Sequence, residues 1–163
     1  TTLETFRFYD PIQYQHRFYA TLGNIGQFYR NLLPFSTRDE PTGFQYGIRS
    51  FDHHLFHFDS IKYYRIYKTY SQLSYVQGGK KEQHFNVEFS RDIYKGLNLG
   101  FNFRVLSSPG AYLRQKTNHI NLNVNAQYFT LNKRYGVVAN FIANRLINFD
   151  NGGIKYDSLF TKN

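Results

Sequence analysis

From residue 82 to residue 149 the chain alternates apolar and polar side chains with a period of two, in one segment after another. In EQHFNVEFSR (82–91), Phe85, Val87 and Phe89 share one face, while His84, Asn86, Glu88 and Ser90 share the other. LNLGFNFRVLS (97–107) sets Leu97, Leu99, Phe101, Phe103 and Val105 against Asn98, Gly100, Asn102 and Arg104. NHINLNVNAQYF (118–129) sets Ile120, Leu122, Val124, Ala126 and Tyr128 against His119, Asn121, Asn123, Asn125 and Gln127. Residues 135–149 set Val137, Ala139, Phe141 and Ala143 against Asn140, Asn144 and Asn148. A period of two belongs to strands, whose successive side chains point to opposite faces. Helical periodicity is absent over this stretch.

Turn signals separate the segments. GGKK follows a further strand predicted at 66–77, DIYKG and LNKR make short connections, SPGAYLRQK makes a longer one, and DNGG ends the last strand. The spacing predicts an antiparallel up-and-down meander. The first half is less regular. Residues 13–22 and 44–51 read as strands, NIGQFYRNLLP as a turn or short helix, and Pro34 and Pro41 bracket a loop. No linker or domain boundary is visible. We expect a single region over 1–163, less regular over 1–62 and a clear meander over 63–149.

Two architectures share this alternation. A soluble sandwich buries its apolar face and covers the other with Lys, Glu and Thr. Here the polar face is mostly uncharged Asn, Gln and His with scattered Arg. The many Phe residues on the apolar face would crowd a small closed interior. Turned into lipid they need no packing partner, and the polar face then lines water. Segments of about ten alternating residues separated by turns are the signature of a transmembrane β-barrel. The fold expected is therefore all-β, part of a transmembrane antiparallel up-and-down barrel. The lumen-facing set is His84, Asn86, Glu88, Asn98, Asn102, Arg104, His119, Asn121, Asn123, Asn125, Gln127, Asn140 and Asn144. The lipid-facing set is Phe85, Val87, Phe89, Leu99, Phe101, Phe103, Ile120, Leu122, Val124, Val137, Ala139 and Phe141.

Composition narrows the alternatives. Aromatic residues make up 20% of the 163 residues and are spread throughout, which disordered chains do not show. No apolar run approaches the roughly 18 residues of a membrane-spanning helix. With no Cys there is no disulfide framework and no Cys-based metal site. The formal charge of +9 favours anionic partners. There is no Met and no signal-peptide pattern at Thr1, so the expectation is a processed chain or an excerpt of a longer one.

Periplasmic turns of such barrels are generally shorter than extracellular loops. This places Tyr94 and Asn132, beside the short connections, near the periplasm. Tyr94, Tyr128, Phe129 and Tyr135 are then expected at one level, as part of an aromatic girdle.

The strings SYVQGGKKEQ (74–83), YATLGNIG (19–26), QKT (115–117), NKRYG (132–136) and NGGI (151–154) carry a resemblance. In order and spacing they resemble the putative β-barrel porin family of Bacteroidetes outer membranes. The resemblance implies an integral outer-membrane barrel of a Gram-negative bacterium, longer than this chain and made with a cleaved leader. This chain ends TKN, not in the terminal aromatic typical of such barrels, so an internal fragment is expected.

Other chemistry reads weakly. His53, His54 and His57, with Asp52 and Asp59, are metal-ligating types in FDHHLFHFD, but the segment reads as loop or strand, and no metal is expected. GNIG and GGKK lack P-loop spacing and read as tight turns. Ser107, Ser108, His119 and Glu88 show no nucleophile elbow, so no catalytic residues are assigned. KYYRIYKTY (62–70) reads as an interfacial belt of Tyr with snorkelling Lys and Arg, in preference to a nucleic-acid surface. The expected function is a non-enzymatic channel passing small hydrophilic solutes, with anions favoured. The alternative is a structural or accessory barrel of a secretion, uptake or assembly complex; an outer-membrane enzyme ranks lower. Expected partners are outer-membrane lipid, lipopolysaccharide and other complex subunits, with no cofactor and no nucleic acid.

Overall fold

The computed structural model describes residues 19–21, 23–32, 51–66, 68–110, 114–130, 132 and 134–149. Two short strands, β1 (Tyr19–Thr21) and β2 (Tyr29–Asn31), form an antiparallel pair. Five longer strands follow: β3 (Tyr70–Gln77), β4 (Gln83–Tyr94), β5 (Leu97–Ser108), β6 (Thr117–Phe129) and β7 (Gly136–Asn148). They form one sheet in the order β3-β4-β5-β6-β7, every neighbour antiparallel. The sheet is an open up-and-down meander, with β3 and β7 as its edges among the described residues. Helix is limited there to single 3-10 turns at Asp52–His54, Phe58–Ser60 and Gly79–Lys81.

The long strands fall where the alternation puts them, with instructive differences at their ends. β3 starts at Tyr70, not at Ile66. In DIYKG, Asp92 and Tyr94 continue β4 through a bulge, leaving Lys95 and Gly96 as the turn. Gly96 holds φ +87°, and a Cβ there would land on the carbonyl oxygen of Phe129, so the tight turn requires glycine. In NIGQFYRNLLP, residues 24–27 turn and Tyr29–Asn31 is strand, so the short-helix option is not what forms. Of the candidate strand 13–22, Tyr19–Thr21 is strand; residues 13–18 lie outside the described residues. So do residues 44–50 of the second candidate, the loop bracketed by Pro34 and Pro41, and the NGGI string; Phe51 is a turn residue.

The register carries every alternating segment onto the same two faces. One row of the apolar face reads Leu73, Val87, Phe103, Leu122, Ala143, and the next Ser71, Phe89, Phe101, Val124, Phe141. This face is exposed: Leu73 at 69%, Val137 at 63% and Phe141 at 61%. Burial lies on the other face, where Leu106 is the only buried hydrophobic among the described residues and the remaining buried side chains are polar. The usual arrangement of apolar inside and polar outside is inverted.

Candidate functional site

The polar face is a wall of aligned rows. Asn86, Arg104, Asn121 and Asn144 sit side by side across β4 to β7. Glu88, Asn102 and Asn123 form the next row, and Asn125 and Asn140 pair in the one beyond. His84 and His119 flank Leu106 on one side, and Asn98 stands opposite Gln127 towards the other end. In the register these thirteen side chains share one face. Each strand supplies them because a period-two pattern in antiparallel register keeps parity across neighbours.

The wall is not bare. Residues 23–29 and 51–64 lie across it as an inner strap. His84, Asn98, His119, Asn121, Asn123, Asn125 and Gln127 are buried, and of these His119, Asn121 and Gln127 bond the strap directly. Asn86, Glu88 and Asn102 are half-buried, while Asn144 is exposed.

Most contacts are side chains of the wall bonded to the backbone of the strap, with Asn24 and Gln27 adding side chains of the strap. Arg104 donates to the carbonyl of His54 at 2.7 Å, and Asn121 Nδ2 donates to the same oxygen. Asn144 binds Phe56 twice, accepting its N–H at 3.1 Å and donating to its carbonyl at 3.0 Å. The Arg104 guanidinium also lies 4.6 Å from the centre of the Phe56 ring, a cation–π contact. Thr117 donates to the Ile25 carbonyl at 2.7 Å, and Gln115 Nε2 to Gln27 Oε1 at 2.9 Å. Asn24 bridges Ser108 and the Gln115 carbonyl.

One histidine joins wall to strap and another joins the two strap segments. His119 Nε2 lies 2.6 Å from the Gly26 carbonyl, and His54 Nε2 lies 3.2 Å from the Gln27 carbonyl. A carbonyl only accepts, so each Nε2 carries the proton. Gly26 holds φ +83°, and a Cβ there would come within 2.6 Å of Leu106 and 2.8 Å of His119; the close approach of strap to wall requires glycine. The pKa of His54 is pushed down to about 4, chiefly by burial and then by the neighbouring charges of His119, Arg104 and His53, against a hydrogen bond to Gln27 that opposes the shift.

The histidines of FDHHLFHFD go to three different places. The His54 ring bonds the Gln27 carbonyl within the strap, His53 stacks on the Tyr29 ring at 4.5 Å, and His57 donates to the Asp52 carbonyl. Ser108, Glu88 and His119 likewise have separate partners: Asn24 and Glu82, Tyr64, and Gly26.

KYYRIYKTY corrects one expectation. Tyr63 and Tyr64 do not join an outer belt but turn onto the polar wall. Asn140 donates to the Tyr63 hydroxyl, Gln127 to the Tyr64 carbonyl, and the Tyr64 hydroxyl to Glu88 at 2.6 Å. Phenolic hydroxyls need hydrogen-bond partners when covered, and this wall supplies them. Tyr94, Tyr128, Phe129 and Tyr135 all occur at the Lys95–Gly96 end of the sheet and are exposed. Phe129 falls on the polar-face parity, and its ring lies over Gly136.

Sequence reasoning did not single out Asn24, Gln27, Phe56, Tyr63 and Tyr64 as parts of the site. The available signal was GNIG: two glycines bracketing a polar turn, one of them needed for close approach.

The family model described as "Putative porin" matches residues 1–163, the whole chain. No curated protein and no solved structure matches. An all-β meander with an exposed apolar face and a polar wall agrees with that match, and the chain belongs to this porin family.

Proposed function

We propose that this chain is part of an integral outer-membrane β-barrel of a Gram-negative bacterium that passes small hydrophilic solutes without catalysis. The observation that carries the reading is the inverted sheet: Phe85, Phe89, Phe101, Phe103, Val124 and Phe141 on one outward face, and a continuous polar wall on the other. Soluble monomers rarely expose contiguous apolar patches larger than a few hundred Å². Lipid removes the penalty for the apolar face, and closed hydrogen-bonded strands remove it for the backbone. Closure requires further strands against β3 and β7.

In this reading the polar wall lines the lumen and the inner strap narrows it. Asn and Gln offer donors and acceptors without fixed charge, so hydrated solutes of either sign are tolerated. The formal charge of +9 tilts a wide pore towards anions. Tyr94, Tyr128 and Tyr135 stand at the periplasmic interface, while Phe129 lies on the polar-face parity, and outer-membrane lipid surrounds the apolar face. Conductance of the full-length protein in planar bilayers tests this. Stepwise channels with a reversal potential favouring anions are expected; a folded, inserted protein without conductance overturns it.

The strap itself favours a second reading, an accessory barrel whose bore is filled and which works within a larger outer-membrane complex. Gentle purification with identification of stoichiometric companions, alongside absent conductance, would select it.

A further inference from the structure

We propose that Lys62, Arg65 and Lys68 form an arc of cations across the bore side of the polar wall that binds extended, multiply charged anions, chains bearing a carboxylate or phosphate on successive units. The inference rests on the channel reading above and names the solute class for one part of its lumen.

KYYRIYKTY mixes aromatic and basic residues, and the wall takes only the aromatic ones. The Tyr63 hydroxyl accepts from Asn140 on β7, the Tyr64 carbonyl accepts from Gln127 on β6, and the Tyr64 hydroxyl donates to Glu88 on β4. The Tyr64 ring lies 5.1 Å from that of Tyr70, which opens β3. Lys62, Arg65 and Lys68 are all exposed, and none has an ion-pair partner among the described residues. With Tyr63 and Tyr64 turned to the wall, the cations stand on the side away from it.

The same bonds fix the course of the chain. Residues 63 and 64 are tied to β7 and β6, and Tyr70 pairs with Ser90 as β3 begins. Between these points the chain crosses the polar face from β6 to β3 and carries the cations with it. Residues 61–66 lie outside helix and strand, and Ile61 holds φ −76° and ψ 128°, close to polyproline II. In that conformation every third residue returns to the same edge, about 9 Å further along. Lys62, Arg65 and Lys68 keep this interval of three.

Spacing decides the ligand. Ammonium and guanidinium groups are strong donors to carboxylate and phosphate. A compact anion reaches one of these cations at a time. A chain with charges along its length reaches two or three, and each later contact is intramolecular. Because Tyr63 and Tyr64 face the wall, the stacking platform that a single-stranded nucleic acid needs is not offered. Nearby carboxylates do not pair with the arc: Glu88 accepts the Tyr64 hydroxyl, Asp92 accepts Asn98 Nδ2 at 2.6 Å, and exposed Asp59 has no ion-pair partner among the described residues.

Calorimetry on the full-length protein in nanodiscs tests this. Linear polyphosphate and an oligouronate are the chain probes; orthophosphate and the free uronate are their monomers. At least one chain should bind about tenfold tighter than its monomer, and which one does so separates phosphate from carboxylate recognition. Lys62→Gln, Arg65→Gln and Lys68→Gln should each weaken chain binding about threefold to fivefold. The charge-retaining Lys62→Arg, Arg65→Lys and Lys68→Arg should keep it. Lys80→Asn, Lys81→Asn and Arg114→Asn together remove the same charge at the opposite end of the sheet, from left-handed positions that suit Asn, and should leave binding unchanged. No preference for either chain, full binding in the Lys62, Arg65 and Lys68 triple variant, or equal loss in both charge-depleted sets overturns the proposal. Chain binding without conductance in planar bilayers sustains the arc and overturns the channel reading beneath it.

Discussion

The imidazoles of His54 and His119 lie with ring centroids 5.4 Å apart, one on the strap and one on β6, each donating Nε2 to a backbone carbonyl of the turn at residues 24–27. Arg104 reaches the same place through the His54 carbonyl. The junction of strap and wall is thus built from groups that are, or can become, cations.

Acid should therefore loosen the strap. His54 is held at about 4, below the ordinary 6.5, so the released strap binds a proton that the docked strap does not. Its contribution to docking is full above pH 6.5 and is lost as pH falls through about 4. The loss amounts to on the order of 3 kcal/mol. Hydrogen exchange of residues 51–64 across this range should show rising exchange, and His54→Gln should flatten the profile. A strap equally protected at pH 7 and pH 4 would refute the arrangement.

Gly26 should tolerate no side chain. Its φ of +83° and the approach of Leu106 and His119 combine backbone strain with a clash. Gly26→Ala should cost about 2–4 kcal/mol in strap docking, read as faster exchange at residues 23–29, with the β4–β7 ladder unchanged.

Asn121 and Asn144 anchor the strap from neighbouring strands through His54 and Phe56. Replacing both by Ala should remove about 1–3 kcal/mol of docking, since carbonyls of the strap lose their donors. Under the channel reading, single-channel conductance should rise; equal conductance in a folded double variant would separate the strap from the permeation path.

Phe141 distinguishes lipid from water outside the sheet. It is 61% exposed, in the row of Phe89, Phe101 and Val124. Phe141→Arg should cost about 2–4 kcal/mol in urea titrations of the vesicle-folded protein, as a charge facing the bilayer does. In a water-exposed sheet the same change would be close to neutral.

The meander was readable because it depends on a local pattern. Phe85, Val87 and Phe89 alternate with His84, Asn86 and Glu88 whatever lies around them, and the same holds along β5, β6 and β7. Turn chemistry was readable to within a few residues: Gly96 marks the β4–β5 turn, but the bulge at Asp92–Tyr94 leaves no sequence mark. The strap was not readable. Phe56, Tyr63 and Tyr64 show no periodicity, and their bonds to Asn144, Asn140 and Glu88 join residues 24 to 88 positions apart.

By itself, then, the sequence determined which side chains share a face and that one face is apolar and the other polar, because strand parity is a property of each short segment. Only the tertiary structure decided what covers the polar face. Asn, Gln and His can satisfy their hydrogen bonds equally with water, with each other or with a passing backbone. Composition cannot choose among these; here the choice was made by Gly26, whose missing side chain lets the strap approach His119 closely enough to bond.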